Sequence, residues 1–479
     1  MGLQTCSSMI RRLALALGLC VIISSVTEAA SLTSVTIPGI PHVKQKPDFC
    51  GEACAEMWLR KQKATLDQDY VYDQSGLDPL LGRGCYTKEL STALRKMGFK
   101  IGPVFTTIQV SEADAGLDKA FAEMHADLKK GIPSIACTHF DDQPGTTEHF
   151  RLVFGYDQPT DEVLYHDPAL DDGADLRMAR AMFLKLWPLK YAPDKWTLVR
   201  LRLDASKLSA ATPAAKGVFT PADYAQHIMG LRERLPHAGF SIVIQEPFVV
   251  VGDEKLKVVQ QRSEQTVKWA VERLKRQYFS KDPTEIIDIW LFRDAPSYEE
   301  YTEKLTDDKP GTPFGFYSPT DKALFMNIST GGGTLVHEIV HPFIASNFPE
   351  CPSWFNEGLA SLYEQSSERD GKIVGLTNWR LAGLQAAIGE ETVPTFQELC
   401  STTTNEFYNR DKGTNYSQAR YLCYDLQQRG LLAKYYHAFV KNAQTDPTGY
   451  ETLQTVLGEA DMADFQKRWE ADVLKLEFR

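Results

Sequence analysis

Apolar positions along residues 50–61, 86–100 and 118–130 recur at the spacing of one helical face and predict three helices, the second closed by Gly98. Short β-rich runs follow at 133–138, 149–156, 162–166 and 196–203. Helices first and strands later is an α+β order. Beyond residue 218 the pattern predicts a helix over 224–234, a strand pair within 241–251, a long helix over 263–277 and strands at 286–292 and 323–328. From Thr334 onward it is almost entirely helical. This second half is again α+β, a small sheet followed by helices.

Between the halves, residues 204–217 are rich in alanine, serine and lysine, contain Pro213 and lack strand periodicity, so they read as a linker. A chain of 479 residues is too long for one ordinary core, which fits two domains at 31–203 and 219–479 joined by 204–218. Residues 1–30 stand apart. Arg11 and Arg12 precede an apolar run to Ile23 and a small-residue stretch ending at Ala29 and Ala30. That is the layout of a cleaved signal peptide, so export to a periplasmic or extracellular space is expected, with no stable membrane insertion afterwards. The formal net charge of -11 argues against nucleic acid or an anionic membrane surface as the main partner.

Two of the nine cysteines lie in the signal segment, leaving Cys50, Cys54, Cys85, Cys137, Cys351, Cys400 and Cys423. An odd number leaves at least one thiol unpaired in an oxidising compartment. Cys351 and Cys400 flank the region discussed next, and sequence leaves open whether they pair.

His337-Glu338-Ile339-Val340-His341 places two imidazoles one helical turn apart on one face, with a glutamate directed to the same site. Gly331, Gly332, Gly333 and Thr334 lead in. Sixteen positions after His341, Glu357 sits in Trp354-Phe355-Asn356-Glu357-Gly358-Leu359-Ala360 and can supply a third metal ligand. Three protein ligands with a fourth position open is the catalytic arrangement of zinc. These residues resemble the gluzincin metallopeptidases of the thermolysin-like clan, over residues 219–479. The resemblance implies zinc held by His337, His341 and Glu357, Glu338 as the base that takes the proton of the attacking water, and Tyr416 in Tyr416-Ser417-Gln418-Ala419 as an oxyanion-binding phenol. Pro342, directly after the second histidine, removes a helical hydrogen bond and predicts a kink there.

A second set lies upstream. Cys50 opens a helix in Gln45-Lys46-Pro47-Asp48-Phe49-Cys50-Gly51-Glu52-Ala53-Cys54, where the helix N-terminus favours a thiolate. His149 begins a hydrophobic strand and Asp167-Pro168 ends the next one. Cys, His and Asp in that order, far apart in sequence, fit a nucleophile, a base and a residue that orients the base. This stretch resembles papain-like peptidases related to bacteriocin-leader processing, from Ile37 to about Arg202. The resemblance implies Cys50 as nucleophile, His149 as base, Asp167 as its orienter and Gln45 as oxyanion donor. The family usually has aspartate directly before the cysteine; here Phe49 stands there, with Asp48 one step earlier.

The expected function is hydrolysis of peptide bonds in extracytoplasmic polypeptides. Three readings stay open: both sites active, the zinc site active with a peptide-binding N-terminal domain, or a non-enzymatic binding protein that holds no stoichiometric zinc.

Overall fold

A computed structural model describes residues 32–208, 219–410 and 414–478. The signal segment and most of the linker lie outside the described residues. The architecture is α+β in both halves.

The N-terminal half is built on a seven-stranded antiparallel sheet. Its strands are β1 (Val35–Thr36), β2 (Phe105–Gln109), β3 (Ser134–His139), β4 (Glu148–Asp157), β5 (Glu162–His166), β6 (Leu176–Ala179) and β7 (Lys195–Arg202). They run in the order β2-β7-β3-β4-β5-β6, with β1 pairing β4. One face packs on the helices Cys50–Lys61 and Thr87–Lys96, through Leu59, Leu90, Leu94, Ile135, Leu152 and Leu201. The other packs on Ala113–Leu128, through Phe121, Met124, Val153 and Leu198. Both faces are covered, which is why β4 is buried at nearly every position rather than at alternate ones.

The sequence marks four of the seven strands, β3, β4, β5 and β7, and the helices Cys50–Lys61, Thr87–Lys96 and Ala113–Leu128, but omits β1, β2, β6 and the helices Gln68–Ser75 and Arg180–Leu186. The helix expected over 86–100 ends at Lys96, because Gly98 turns the chain at φ 100° and Phe99 drops into the core. The start of the linker also belongs to this half. The Lys100 amide donates to the Asp204 carbonyl at 3.0 Å, and Ala205 and Leu208 pack against the core.

The C-terminal half holds a five-stranded mixed sheet: β8 (Ser241–Gln245), β9 (Phe248–Gly252), β10 (Ile287–Phe292), β11 (Gly315–Ser318) and β12 (Ala323–Asn327). The order is β11-β12-β10-β9-β8, with β10 parallel to both β9 and β12. A helix running from Leu256 to Gln277 with one π turn, at Ser263–Lys268, packs on one face together with Gly333–Asn347. Beyond Asn347 the chain is helical apart from one hairpin, β13 (Ser366–Arg369) and β14 (Lys372–Gly375), which the sequence reading misses.

The helix Pro221–Arg234, capped reciprocally by Thr220 and Asp223, joins the halves. Toward the N-terminal half its Ala222 amide donates to Asp73 at 2.9 Å and Gln226 Nε2 donates to the Pro47 carbonyl at 2.9 Å. Toward the C-terminal sheet it buries Tyr224, Ile228 and Leu231, and His227 Nε2 lies 2.6 Å from the buried carboxylate of Asp288 on β10.

Candidate active sites

The loop before Cys50 is fixed by strain and close contact. Asp48 adopts φ 60°, and its carboxylate accepts the Gly84 amide at 2.8 Å. A Cβ on Gly84 would lie 1.9 Å from the Asp48 carbonyl, so only glycine fits there. Phe49 is fully buried and stacks on Tyr72 with 5.0 Å between ring centres. The aspartate displaced by one position thus clamps the neighbouring turn, and the phenylalanine anchors the start of the helix Cys50–Lys61.

The thiol of Cys50 lies against the Phe150 backbone amide, and Phe150 follows His149 on β4. His149 Nε2 is 2.7 Å from Asp167 Oδ1, which leaves Nδ1 as the ring nitrogen free to take a thiol proton. Asp167 also accepts the Ala169 amide at 3.0 Å and Arg151 Nε at 2.9 Å. Burial alone would raise this carboxyl, but the bonds from His149 and the charge of Arg151 hold it below its ordinary value. Arg151 is itself buried, its other nitrogens donating to Thr138 Oγ1 and to the His139 and Phe140 carbonyls. Gln45 is held by its backbone amide to the Pro168 carbonyl at 2.9 Å, and its side-chain carbonyl is buried with no partner.

One expectation is reversed. Burial pushes the Cys50 thiol up to about 12, reinforced by the charges of Glu52 and Asp48, despite the helix N-terminus. Glu52 is fully buried and raised to about 7 by desolvation, one oxygen accepting the Cys85 amide at 2.7 Å. All seven cysteines are free thiols, so Cys351 and Cys400 are not bonded.

In the C-terminal half the helix Gly333–Asn347 carries His337, Glu338 and His341 and continues through Pro342. It starts in contact with the chain at Glu364: a Cβ on Gly333 would lie 1.9 Å from the Glu364 carbonyl. Glu357 comes from the next helix, Ser353–Leu362. His337 Nε2 is 3.2 Å from Glu357 Oε2 and 4.0 Å from Glu338 Oε1; His341 Nε2 is 4.0 Å from Glu357 Oε1 and 3.7 Å from Glu338 Oε2. Behind the rings, His341 Nδ1 is hydrogen-bonded to Asn356 Oδ1 at 3.0 Å, and His337 Nδ1 lies 3.2 Å from Glu364 Oε1 without a hydrogen bond. Glu364 is gripped in turn by Arg380 and Asn378. Carboxylate or amide oxygens behind a histidine pair orient ligands in metal sites.

The two carboxylates in front differ. Glu338 accepts the Tyr317 amide at 3.0 Å, and desolvation raises its carboxyl above the ordinary value. Glu357 Oε1 accepts the Tyr408 hydroxyl at 2.6 Å, while Oε2 is buried with no hydrogen-bond partner. Burial opposes ionisation of Glu357, yet the two histidines and Tyr408 outweigh it and hold the carboxyl at about 2. An ionised oxygen without a hydrogen bond, facing two imidazoles that have Asn356 and Glu364 behind them, fits a divalent cation such as zinc. His337, Glu338 and His341 also offer ligand atoms within 4.8 Å of one another, so geometry alone admits either glutamate as third ligand. The unpartnered oxygen favours Glu357.

These groups line a cleft of about 750 Å³ that also takes in Tyr416, Trp379 and Phe314. Tyr416 packs against Phe407, Tyr408 and the Arg380 guanidinium. Tyr408, Glu364, Arg380 and Arg151 carry no sequence signal of a role, and Asn356 is marked only as the neighbour of Glu357. Strand alternation puts Arg151, two after His149, on the same face of β4, whereas Glu364 lies two residues past the end of the helix that carries Glu357.

Residues 37–191 match the family model described as Peptidase_C39 like family. Residues 37–191 are thus similar to this family of cysteine peptidases, and the match supports a peptidase function at that level. The chain is also similar to the peptidase domain of Streptococcus ComA, a bi-functional ABC transporter involved in a quorum sensing pathway. That likeness has 17% identity and a TM-score of 0.24, covering 35% of this chain and 99% of that one. Among curated proteins none matches the chain. The family match ends well before His337 and leaves the candidate metal site to its own geometry. Among the described residues no helix is long and apolar enough to cross a membrane.

Proposed function

We propose that the chain is an exported peptidase with two hydrolytic centres, a zinc-dependent one at His337, His341 and Glu357 and a thiol one at Cys50. The observation that carries the zinc reading is the buried Oε2 of Glu357, without a hydrogen bond of its own, facing His337 and His341, the latter held from behind by Asn356. A bound zinc ion polarises a scissile carbonyl and makes a water molecule acidic. Glu338, set beside both histidines, accepts the water proton as oxygen adds to the carbonyl carbon, then returns it to the amine as the C–N bond breaks. Tyr416, on the cleft wall, is assigned to the oxygen that gains charge.

In the N-terminal half, sulfur of Cys50 attacks the carbonyl while its proton passes to His149. The imidazolium gives that proton to the leaving amine, and water hydrolyses the thioester. Asp167 keeps the imidazole oriented, and Gln45 faces the oxyanion. The segment 1–30 supports export, with periplasmic and secreted destinations alike. The thiol held at about 12 favours a second reading, in which this domain binds peptide and the zinc site alone cleaves it.

The experiment measures metal content of the mature protein, then hydrolysis of a mixed peptide library by the parent, Glu338→Gln and Cys50→Ala. Glu338→Gln is expected to keep its zinc and lose about a hundredfold to ten-thousandfold of the zinc-dependent rate. Full activity in a zinc-loaded Glu338→Gln protein defeats the assignment. If Cys50→Ala matches the parent on every peptide, the binding reading of the N-terminal domain stands.

A further inference from the structure

Around the candidate zinc site each carboxylate faces histidines or other donors, and one cationic side chain keeps a nitrogen without an acceptor. Glu338 faces the histidines and the Tyr317 amide, Glu357 the histidines and Tyr408, and Glu364 His337, Asn378 and Arg380. No carboxylate is therefore left for the ammonium end of a peptide. Arg380 is the sole lysine or arginine among the described residues that line the cleft. Its Nε and Nη2 donate to Glu364 at 3.0 and 2.8 Å. Its guanidinium carbon lies 5.1 Å from the Tyr416 ring centre and 5.6 Å from that of Trp379. No acceptor among the described residues meets Nη1. Trp379 is 53% exposed, so this stack stands at the cleft wall rather than behind it.

A guanidinium held along one edge and packed against rings has little freedom left, and its remaining N–H groups keep a fixed direction. Charge balance agrees. A divalent cation and Arg380 together offset Glu338, Glu357 and Glu364, so an incoming anion meets no net negative charge. We propose that Arg380 receives a carboxylate of the peptide substrate, either the chain's own α-carboxylate or an acidic side chain beside the scissile bond. This rests on the zinc-peptidase reading above.

The test uses the full mature chain with zinc content measured first. Peptide pairs differ in one group: free acid against C-terminal amide in one arm, Glu against Gln and Asp against Asn at the positions flanking the bond in the other. In the parent, kcat/KM is expected to favour the carboxylate member of one arm by about tenfold or more, mainly through KM. Arg380→Gln should bring that ratio within about twofold of one, and Arg380→Lys should restore part of it. A merely structural Arg380, acting through Glu364, would slow both members of every pair alike and weaken zinc binding. It would leave the ratio unchanged. Calorimetric titration of the zinc-loaded Glu338→Gln protein with the same pairs reads the preference without turnover, and without any change at Arg380. A parent ratio within twofold in both arms, equal heats for acid and amide in both arms, or a ratio that survives Arg380→Gln overturns the proposal. Stoichiometric zinc with neither hydrolysis nor binding of any peptide overturns the peptidase reading first, and the proposal with it.

Discussion

The two candidate sites are held by opposite kinds of scaffold. In the N-terminal half the base sits on a central strand, its orienting carboxylate at the end of the neighbouring strand, and the thiol at the start of a helix packed against the central strand. Each group comes from a different element, and a buried arginine pairs with the orienting carboxylate. In the C-terminal half three of the four central groups share two turns of one helix, and the fourth stands on the next helix. The first arrangement depends on long-range folding, the second on helical period. They also differ in charge. The thiol site buries a carboxylate balanced by an arginine and a histidine, whereas the metal site buries three carboxylates against two histidines and Arg380. Removing one charge should therefore disturb the fold in the first site and metal retention in the second.

The largest effect expected is at Asp167. Its carboxylate is buried with Arg151, whose remaining bonds go to Thr138 Oγ1 and two carbonyls, so no other anion is at hand. Breaking a buried pair by removing one partner costs about 3–5 kcal/mol. Asp167→Ala should lower stability by that order in urea unfolding and abolish thiol activity together. Replacing both residues, Asp167→Asn with Arg151→Met, should recover part of the stability and none of the activity. A single Asp167→Ala variant with an unchanged midpoint would show that Arg151 does not depend on it.

Next in size is a pH effect from Glu52. Its folded carboxyl is raised to about 7 from an ordinary 4.5, so the folded state holds a proton that the unfolded state has released. The stability it contributes is fully present below about 4.5 and is lost as pH rises toward 7, by about 3 kcal/mol at most. Glu52→Gln should remove this slope. Relative to the parent, its urea midpoint should be higher at pH 8 and similar at pH 4.5. Iodoacetamide should also label Cys50 faster in the variant, because one of the charges that opposes thiolate is gone.

Legibility in the sequence follows the same division. The spacing of His337, Glu338 and His341 is local, and the order Cys50, His149, Asp167 survives because each marks an element boundary or strand end. Arg151 is hidden by the apolar run around it, since a charged residue within a buried strand looks like a break in the pattern. Glu364 falls on the face of Glu357 but lies two residues past Leu362, where the helix ends and periodicity no longer points to it. The missed hairpin β13–β14 is almost wholly polar on its first strand, and its one signal is Asp370-Gly371, with φ values of 53° and 71° that suit a tight turn. The helix Gln68–Ser75 had its marks too, Asp67 capping its start and Gly76 its end, but only half of it is apolar enough to read.

The smallest effect expected separates two tyrosines of the metal cleft. Sequence points to Tyr416, on a long helix, as the phenol of the site; Tyr408 stands on the short helix Thr404–Asn409, where no period can mark it. Yet it is Tyr408 that donates to Glu357, at 2.6 Å, occupying one oxygen and leaving the other for a cation. Tyr408→Phe removes one hydrogen bond behind a ligand, a change that typically weakens metal affinity by about 10–100-fold. Tyr416 has its ring against Tyr408 and Arg380, so Tyr416→Phe should leave zinc affinity within about twofold and act on turnover instead. Competition with a chelator gives the affinity, and hydrolysis at saturating zinc gives the rate. The reverse pattern, with zinc lost from the Tyr416 variant and retained by the Tyr408 variant, would mean that Glu357 binds its cation through the oxygen now facing Tyr408. The phenol would then have to move aside on loading, and the division of labour between the two tyrosines would be exchanged.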